Sequence, residues 1–347
     1  MSLSSSRSPH DSAAPGSVAD PRGTTGVGSR RSAGTVPQGA AGWSGPSTPD
    51  VAFQWTPGAD PTTPADVAAF FRSPPIEILK ERICDIGRRL WQREYTDGNG
   101  GNITIRVGDN LALCTATLIC KGFMKPEDVC LVDLEGRQLA GVRRATSEAL
   151  THFGIMKRQP AAKACVHAHP PHATAFALWD GVIPQYLIPE VEIFLGRIGV
   201  AEYRMPGTQE YADIVGEAAR DHQAVLMRNH GVIVWGNDVE DAGWKMENID
   251  AYCRMIWIAT GMGGGMSRFT GSQAKALIER RLRQGMSDPR AALKDSELPG
   301  TADFGVGAAS ASPTPDAAKG SLPPLADSQI EAIVRAVTQR VLEQLGR

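Results

Sequence analysis

Between Pro75 and about residue 290 the apolar pattern switches repeatedly between a period near 3.6 and a period of two. That alternation restricts the chain to a mixed α/β fold, because each element must bury its apolar side against one of the other type. The stretch 75–94, PIEILKERICDIGRRLWQRE, places Ile76, Leu79, Ile83, Ile86 and Leu90 at helical spacing with charges between them. GNITIRV (101–107) and NLALCTATLI (110–119) alternate as paired strands around a Gly108-Asp109-Asn110 turn. The segment EDVCLVDLEG adds a short strand, 146–158 a helix, and KACVHAH a strand that the prolines at 170 and 171 close, opening the helix HATAFALW. A strand (RIGVAEYRM), a helix (QEYADIVGEAARDH), two strands broken at Asn229-His230-Gly231 and a long helix (239–260) follow.

This block, residues 65–290, reads as one domain. Residues 1–64 are rich in Ser, Gly, Pro, Ala and Thr, with few large apolar side chains to offset the entropy of ordering, and are expected to be a disordered arm. An organellar transit peptide would use similar Arg and Ser, but Asp11 and Asp20 count against it. Residues 291–325 read as a flexible linker, and 326–347 as a detached amphipathic helix. Ile330, Ile333, Val334, Val337, Val341, Leu342 and Leu345 form its stripe, and Ser328 with Glu331 a capping box at its start.

A formal net charge of -2 over 347 residues gives no reason to expect nucleic acid or an anionic membrane as partner. No apolar run reaches the length of a membrane span, and the start lacks a secretory apolar core. Six cysteines without a C-x-x-C pair read as reduced thiols in a cytoplasmic setting.

Of seven histidines, three fall within CVHAHPPH (165–172). Residues two apart in a strand face the same way, so His167 and His169 can converge on one ion, and zinc accepts neutral imidazoles. His230, at the sharp break between two strands, is the best-placed third ligand. A lone H-x-H is also compatible with core histidines, and Cys165 on the same face with a buried thiol. His172 reads as a helix-start residue; His10, His152 and His222 as arm, helix surface and helix end. Glu148 falls at a helix start, where it can serve chemistry or merely cap the helix with Thr146.

In order along the chain, GNGGNITIR, TSE, HAH and RNHG resemble the class II aldolase/adducin family over about 75–260. The resemblance implies a central, mainly antiparallel sheet flanked by helices, and a homotetramer with sites between subunits. It implies one zinc ion per subunit on His167, His169 and His230, with Glu148 as the acid/base carboxylate. Gly101, Asn102, Thr117, Thr146 and Ser147 would bind the phosphate of a phosphorylated ketose. The implied reaction is the zinc-dependent cleavage of L-fuculose 1-phosphate or L-rhamnulose 1-phosphate to dihydroxyacetone phosphate and L-lactaldehyde. Pentulose-phosphate 4-epimerisation, sugar-phosphate dehydration and a non-catalytic adducin-like role are the alternatives.

The chain departs from the family pattern in places. The loop usually written T-P-[ST]-G is TATLICKG, with Leu118 in the glycine's place and Lys121 as an added charge. The tyrosine that serves the leaving aldehyde has no clear counterpart; Ile188 falls near its place, with Tyr186 close by. A finer set, including CKG, HPPHATAFA and PGTQEYA, is similar to aldolases of bacterial microcompartments that degrade fucose and rhamnose. That likeness implies the lumen of such a compartment as location, and the 326–347 helix as a peptide that docks on a shell protein.

Overall fold

The computed structural model describes residues 53–298 apart from 182 and 264. Among the described residues, eight strands form one sheet in the order β4-β3-β2-β1-β5-β8-β7-β6. They are β1 (Asn102–Arg106), β2 (Leu111–Cys114), β3 (Cys130–Asp133), β4 (Gln138–Ala140), β5 (Ala164–Ala168), β6 (Ile198–Ala201), β7 (Ala224–Met227) and β8 (Gly231–Gly236). Every neighbouring pair is antiparallel except β6–β7. This is the mixed α/β architecture that the period switching requires.

Seven α-helices among the described residues accompany the sheet: α1 (Pro64–Phe71), α2 (Pro74–Gln92), α3 (Ala149–Arg158), α4 (Pro171–Leu178), α5 (Gln209–Ala218), α6 (Val239–Gly261) and α7 (Gly271–Arg283). Prolines at the first positions of α1, α2 and α4 stand where no backbone N–H is needed. The apolar stripe of α2 is buried as its spacing predicts, Ile76, Leu79, Ile83, Ile86 and Leu90 each contributing roughly 1.5–3 kcal/mol.

Because strand side chains alternate, the sheet feeds two cores. One joins Ile103, Ile105, Val166, Val232 and Val234 to α2, α4 and α6. The other joins Cys114, Cys165, Val225 and Ile233 to Phe153 and Ile155 of α3 and Tyr211 and Val215 of α5. Cys165 is a fully buried core thiol, as the plain reading of it expects. No helix among the described residues is long and apolar enough to cross a membrane.

Two expected boundaries move. The described residues begin at Phe53, inside the arm assigned to 1–64, and 53–64 are held to the domain: Trp55 Nε1 donates to Asp109 at 2.9 Å, and Asp60 accepts from the backbone N–H groups of Asp109 and Asn110. The β1–β2 turn supplies unpaired N–H groups, and that segment satisfies them. Within the linker assigned to 291–325, Leu298 is buried against Tyr186, Ala274 and Ile278. Residues 1–52, the rest of that linker and the 326–347 helix lie outside the described residues.

Candidate metal centre and acid/base site

Four elements end at one place. Strand β5 delivers His167 and, one residue past its end, His169. The β7–β8 turn delivers His230, α3 begins just after Glu148, and β1 opens with Asn102 directly opposite His167. Antiparallel pairing of β1 and β8 on either side of β5 is what brings the start of both beside the end of β5.

Local sequence makes the approach possible. Asn229 adopts a left-handed φ of 56°, a conformation asparagine tolerates, and turns the chain from β7 into β8. A Cβ on Gly231 would meet His169 Cδ2 at 2.6 Å and the Ala168 carbonyl at 2.8 Å, so only glycine lets β8 lie this close to the histidines. Gly101, with φ 74°, does the same for β1: a Cβ there would lie 2.7 Å from the His167 carbonyl.

The ligand atoms of His167, His169 and His230 lie within 4.8 Å of one another. The Nε2 atoms of His167 and His169 are 3.2 Å apart. Two ligands about 2.05 Å from a tetrahedral zinc stand roughly 3.3 Å apart, so the spacing fits such an ion. Each Nδ1 is already engaged: His167 with the Val232 carbonyl at 2.8 Å, His169 with Asp97 Oδ1 at 2.7 Å, His230 with the Tyr211 hydroxyl at 3.1 Å. With Nδ1–H donating outward, all three rings offer an Nε2 lone pair to the centre, the pattern that orients metal-binding imidazoles.

Electrostatics point the same way. Burial, and then the neighbouring His230 and His169, hold His167 well below the ordinary imidazole value; burial likewise lowers His230. Both rings are neutral near pH 7, as metal coordination requires.

Glu148 does not cap α3. It occupies the cap position with no side-chain cap bond, and its carboxylate turns to the histidines, Oε1 3.3 Å from His230 Nε2 and Oε2 3.6 Å from His167 Nε2. Asn102 Nδ2 donates to Oε2 at 2.6 Å. The side chain of Asn102 is therefore spent on Glu148, at the edge of the centre. Thr117, Thr146 and Ser147 sit on a second rim: an isolated bridge joins Ala116 to Ala145, with Thr117 N–H donating to Arg144 and Thr146 N–H to Thr115. Ser147 is exposed, Thr117 half-buried and Thr146 buried.

The altered loop keeps its turn. Leu118 stands in the left-handed region at φ 54°, the conformation a glycine would take without strain. Lys121, read as an added charge, is buried; its ammonium donates to the carbonyls of Asn99 and Ile119 at 2.7 and 2.8 Å, and burial lowers it to about 8. It ties the glycine-rich turn to the loop after β2.

Three participants escape a reading of the sequence. Tyr211 and Asp97 hold His230 and His169, and His152, expected on a helix surface, is wholly buried. Its ring bridges Thr104 Oγ1, 2.9 Å from Nδ1, and Asn102 Oδ1 at Nε2. Tyr186 goes elsewhere: it is buried beside Ala274, Ile278 and Leu298, with Arg290 stacked over its ring. His172 binds Asp250 at the start of α4, as a helix-start residue does.

With a metal ion on the three histidines, such a site would polarise an oxygen substituent beside a carboxylate able to move a proton. The chain is 33% identical over 182 residues to an L-fuculose phosphate aldolase of Methanococcus maripaludis, covering 52% of this chain and 96% of that protein. It is 31% identical over 205 residues to a 3-oxo-tetronate 4-phosphate decarboxylase of Haemophilus influenzae, covering 58% and 96%. The crystal structure of YgbL from Escherichia coli, whose chemistry is given as aldolase, epimerase or decarboxylase, superposes with a TM-score of 0.54 at 27% identity over 59% of this chain and 98% of that one. Residues 81–257, just over half of the chain, match the Class II Aldolase and Adducin N-terminal domain, and the protein belongs to that family.

Proposed function

We propose that the protein is a zinc-dependent aldolase that cleaves L-fuculose 1-phosphate or L-rhamnulose 1-phosphate to dihydroxyacetone phosphate and L-lactaldehyde. The observation that carries the reading is the convergence of three outward-anchored histidines on a carboxylate that caps nothing. When bound by His167, His169 and His230, a divalent metal supplies Lewis-acid stabilisation for the charge that develops as the C3–C4 bond breaks. That cleavage leaves the electron pair on the C3 side and turns the C4 hydroxyl into the aldehyde, its proton passing to solvent, from which the Glu148 carboxylate takes up the one it delivers. Glu148 delivers a proton to C3 in this direction and removes it in the other, a role worth typically 10²–10⁴-fold. Gly101, Asn102, Thr117, Thr146 and Ser147 are assigned to the substrate phosphate, the hydroxyl groups and the glycine-rich backbone at Gly101 suiting an anion.

Decarboxylation of a 3-oxo acid 4-phosphate is the second reading, favoured by the 31% identity to an enzyme of that name. It also leaves an electron pair on a carbon beside a carbonyl, but the departing group is carbon dioxide. A homotetramer, a location in a microcompartment lumen and docking of 326–347 on a shell protein complete the proposal; the apolar spacing of that segment supports the last.

The test is release of dihydroxyacetone phosphate from each of the two sugar phosphates, with and without chelator, beside carbon dioxide release from 3-oxo-tetronate 4-phosphate. Aldehyde-forming turnover that stops on chelation and in Glu148→Gln is the expected result. Metal-loaded protein that cleaves neither sugar refutes the aldolase reading, and carbon dioxide release then establishes the second.

A further inference from the structure

A carboxamide is nearly symmetric in shape, so packing alone does not tell its oxygen from its nitrogen; hydrogen-bond partners do. Asn102 is 3% exposed and cannot turn to water for either. Its Nδ2 donates to Glu148, which leaves Oδ1 facing the ring of His152, itself 0% exposed. On the far side of that ring Nδ1 meets Thr104 Oγ1 at 2.9 Å.

These contacts form one directed chain. Glu148 as a carboxylate only accepts, so Asn102 must show it N–H; Asn102 Oδ1 then only accepts, so His152 must show it Nε2–H. A neutral imidazole carries a single N–H, which makes Nδ1 an acceptor for the Thr104 hydroxyl. The other tautomer would put an Nε2 lone pair against Asn102, turn the amide over and set its oxygen against the carboxylate. Burial keeps the ring neutral, since its proton affinity falls to about 3.

We propose that His152 is a positioning residue, which fixes the amide of Asn102 and through it the seat of the Glu148 carboxylate. The inference rests on the reading of Glu148 as the proton-moving group. It accounts for a polar histidine on the most buried stretch of α3, Thr151 to Met156. It also assigns Asn102 a task toward Glu148 as well as toward a phosphate.

The test compares His152→Leu, which lacks a donor, with His152→Gln, whose side-chain amide N–H reaches about where Nε2–H does. Metal content, kcat and KM for the sugar phosphate are measured on the zinc-loaded full chain, and each variant is crystallised. Phe153→Leu, a buried neighbour outside the chain of contacts, reports the effect of lost packing alone. Expected are a kcat lowered about 10- to 100-fold in His152→Leu, an unchanged zinc stoichiometry, KM within about two-fold and an Asn102 amide displaced from Glu148. His152→Gln recovers most of kcat, and Phe153→Leu keeps it. Equal kcat in His152→Leu and wild type overturns the inference, as does an undisturbed Asn102–Glu148 contact in the His152→Leu crystal. The crystallographic arm decides the matter even if no sugar phosphate is cleaved by the wild type, a result that would sink the functional reading alone. Should His152→Leu not fold, His152→Phe, which keeps a flat ring without a donor, takes its place, and the same kinetic and crystallographic criteria apply.

Discussion

Replacing Tyr211 by Phe removes one oxygen and leaves the ring in its core position, so it isolates what the hydroxyl does for His230. Tyr211 is 0% exposed, and burial together with nearby Glu148 raises its phenol above the ordinary value, so it stays neutral and accepts from His230 Nδ1–H. Without the phenol, that N–H faces carbon whenever Nε2 is committed to a metal; in the free protein the ring can turn to find another partner. The cost of an unmet buried donor, about 1–3 kcal/mol, therefore falls mainly on the metal-bound state. A tenfold change corresponds to about 1.4 kcal/mol, and the expectation is a zinc Kd weakened about 10- to 100-fold. Chelator competition on the purified variant measures it. Asp97→Asn supplies the contrast. Asp97 also holds a ligand, but its side chain is 72% exposed, so its effect shrinks between about 0.05 M and about 0.5 M salt, where that of Tyr211→Phe does not. A folded Tyr211→Phe protein with wild-type zinc affinity refutes the argument that the outer partner of His230 prepares it for a metal.

Stability depends on pH through His152. Burial drops it from 6.5 to about 3, so between those values the unfolded chain binds a proton that the native chain refuses. Its contribution is complete above pH 6.5 and is lost by about 1.4 kcal/mol per unit on acidification toward pH 3. Urea unfolding with chelator present, between pH 6.5 and about 4, has a slope one proton steeper in wild type than in His152→Gln; equal slopes refute the assignment. Leu118→Gly relieves a left-handed leucine whose side chain is 81% exposed, and raises stability by about 1 kcal/mol; a fall in the urea midpoint shows that the turn is unstrained. Arg290→Met leaves Asp288 without its bidentate partner and Glu192 without its single one in a buried setting, and lowers stability by about 3–5 kcal/mol, read as a lowered thermal midpoint; an unchanged midpoint contradicts the burial of that network.

The elements were legible where one periodicity dominated. α2 and α5 follow the pattern that a single buried face imposes, and the strands β1, β5 and β8 are short runs bounded by turn residues, β-branched-rich in β1 and β8. His167, His169 and His230 were legible for another reason: strand geometry and a sharp turn fix where such side chains point before any packing is known. His152 was not, because helical spacing assumes one wet face, and α3 has little of one: it lies between the sheet and α5 and buries six consecutive residues from Thr151. Tyr211 reads as an apolar position of α5, which it is; only its hydroxyl reaches the site, and nothing local in the sequence marks that tip. Asp97 lies in a glycine-rich turn, where an aspartate has an ordinary explanation, and its bond to His169 spans 72 residues.

Where the chain departs from its family's usual residues, the geometry is held by other means. In the loop after β2, Leu118 takes up the left-handed turn at some cost, and the Lys121 ammonium joins the Asn99 and Ile119 carbonyls. Beyond residue 257, where the family match ends, α7 and the segment after it stay with the domain through buried charge. Arg290 binds Glu192 and Asp288, Arg281 donates to the Ile193 carbonyl, and Phe269 N–H donates to Tyr186. Buried ion pairs are costly to form, and they give little net stability over apolar packing. What they provide is a defined seat. Here that seat is the 185–196 segment, where Tyr186 holds a left-handed φ of 63° and near which the resemblance to the family would place a tyrosine, at about Ile188. The extension thus fixes a stretch of the family pattern in which a side chain has been replaced, and it holds Tyr186 buried against α7.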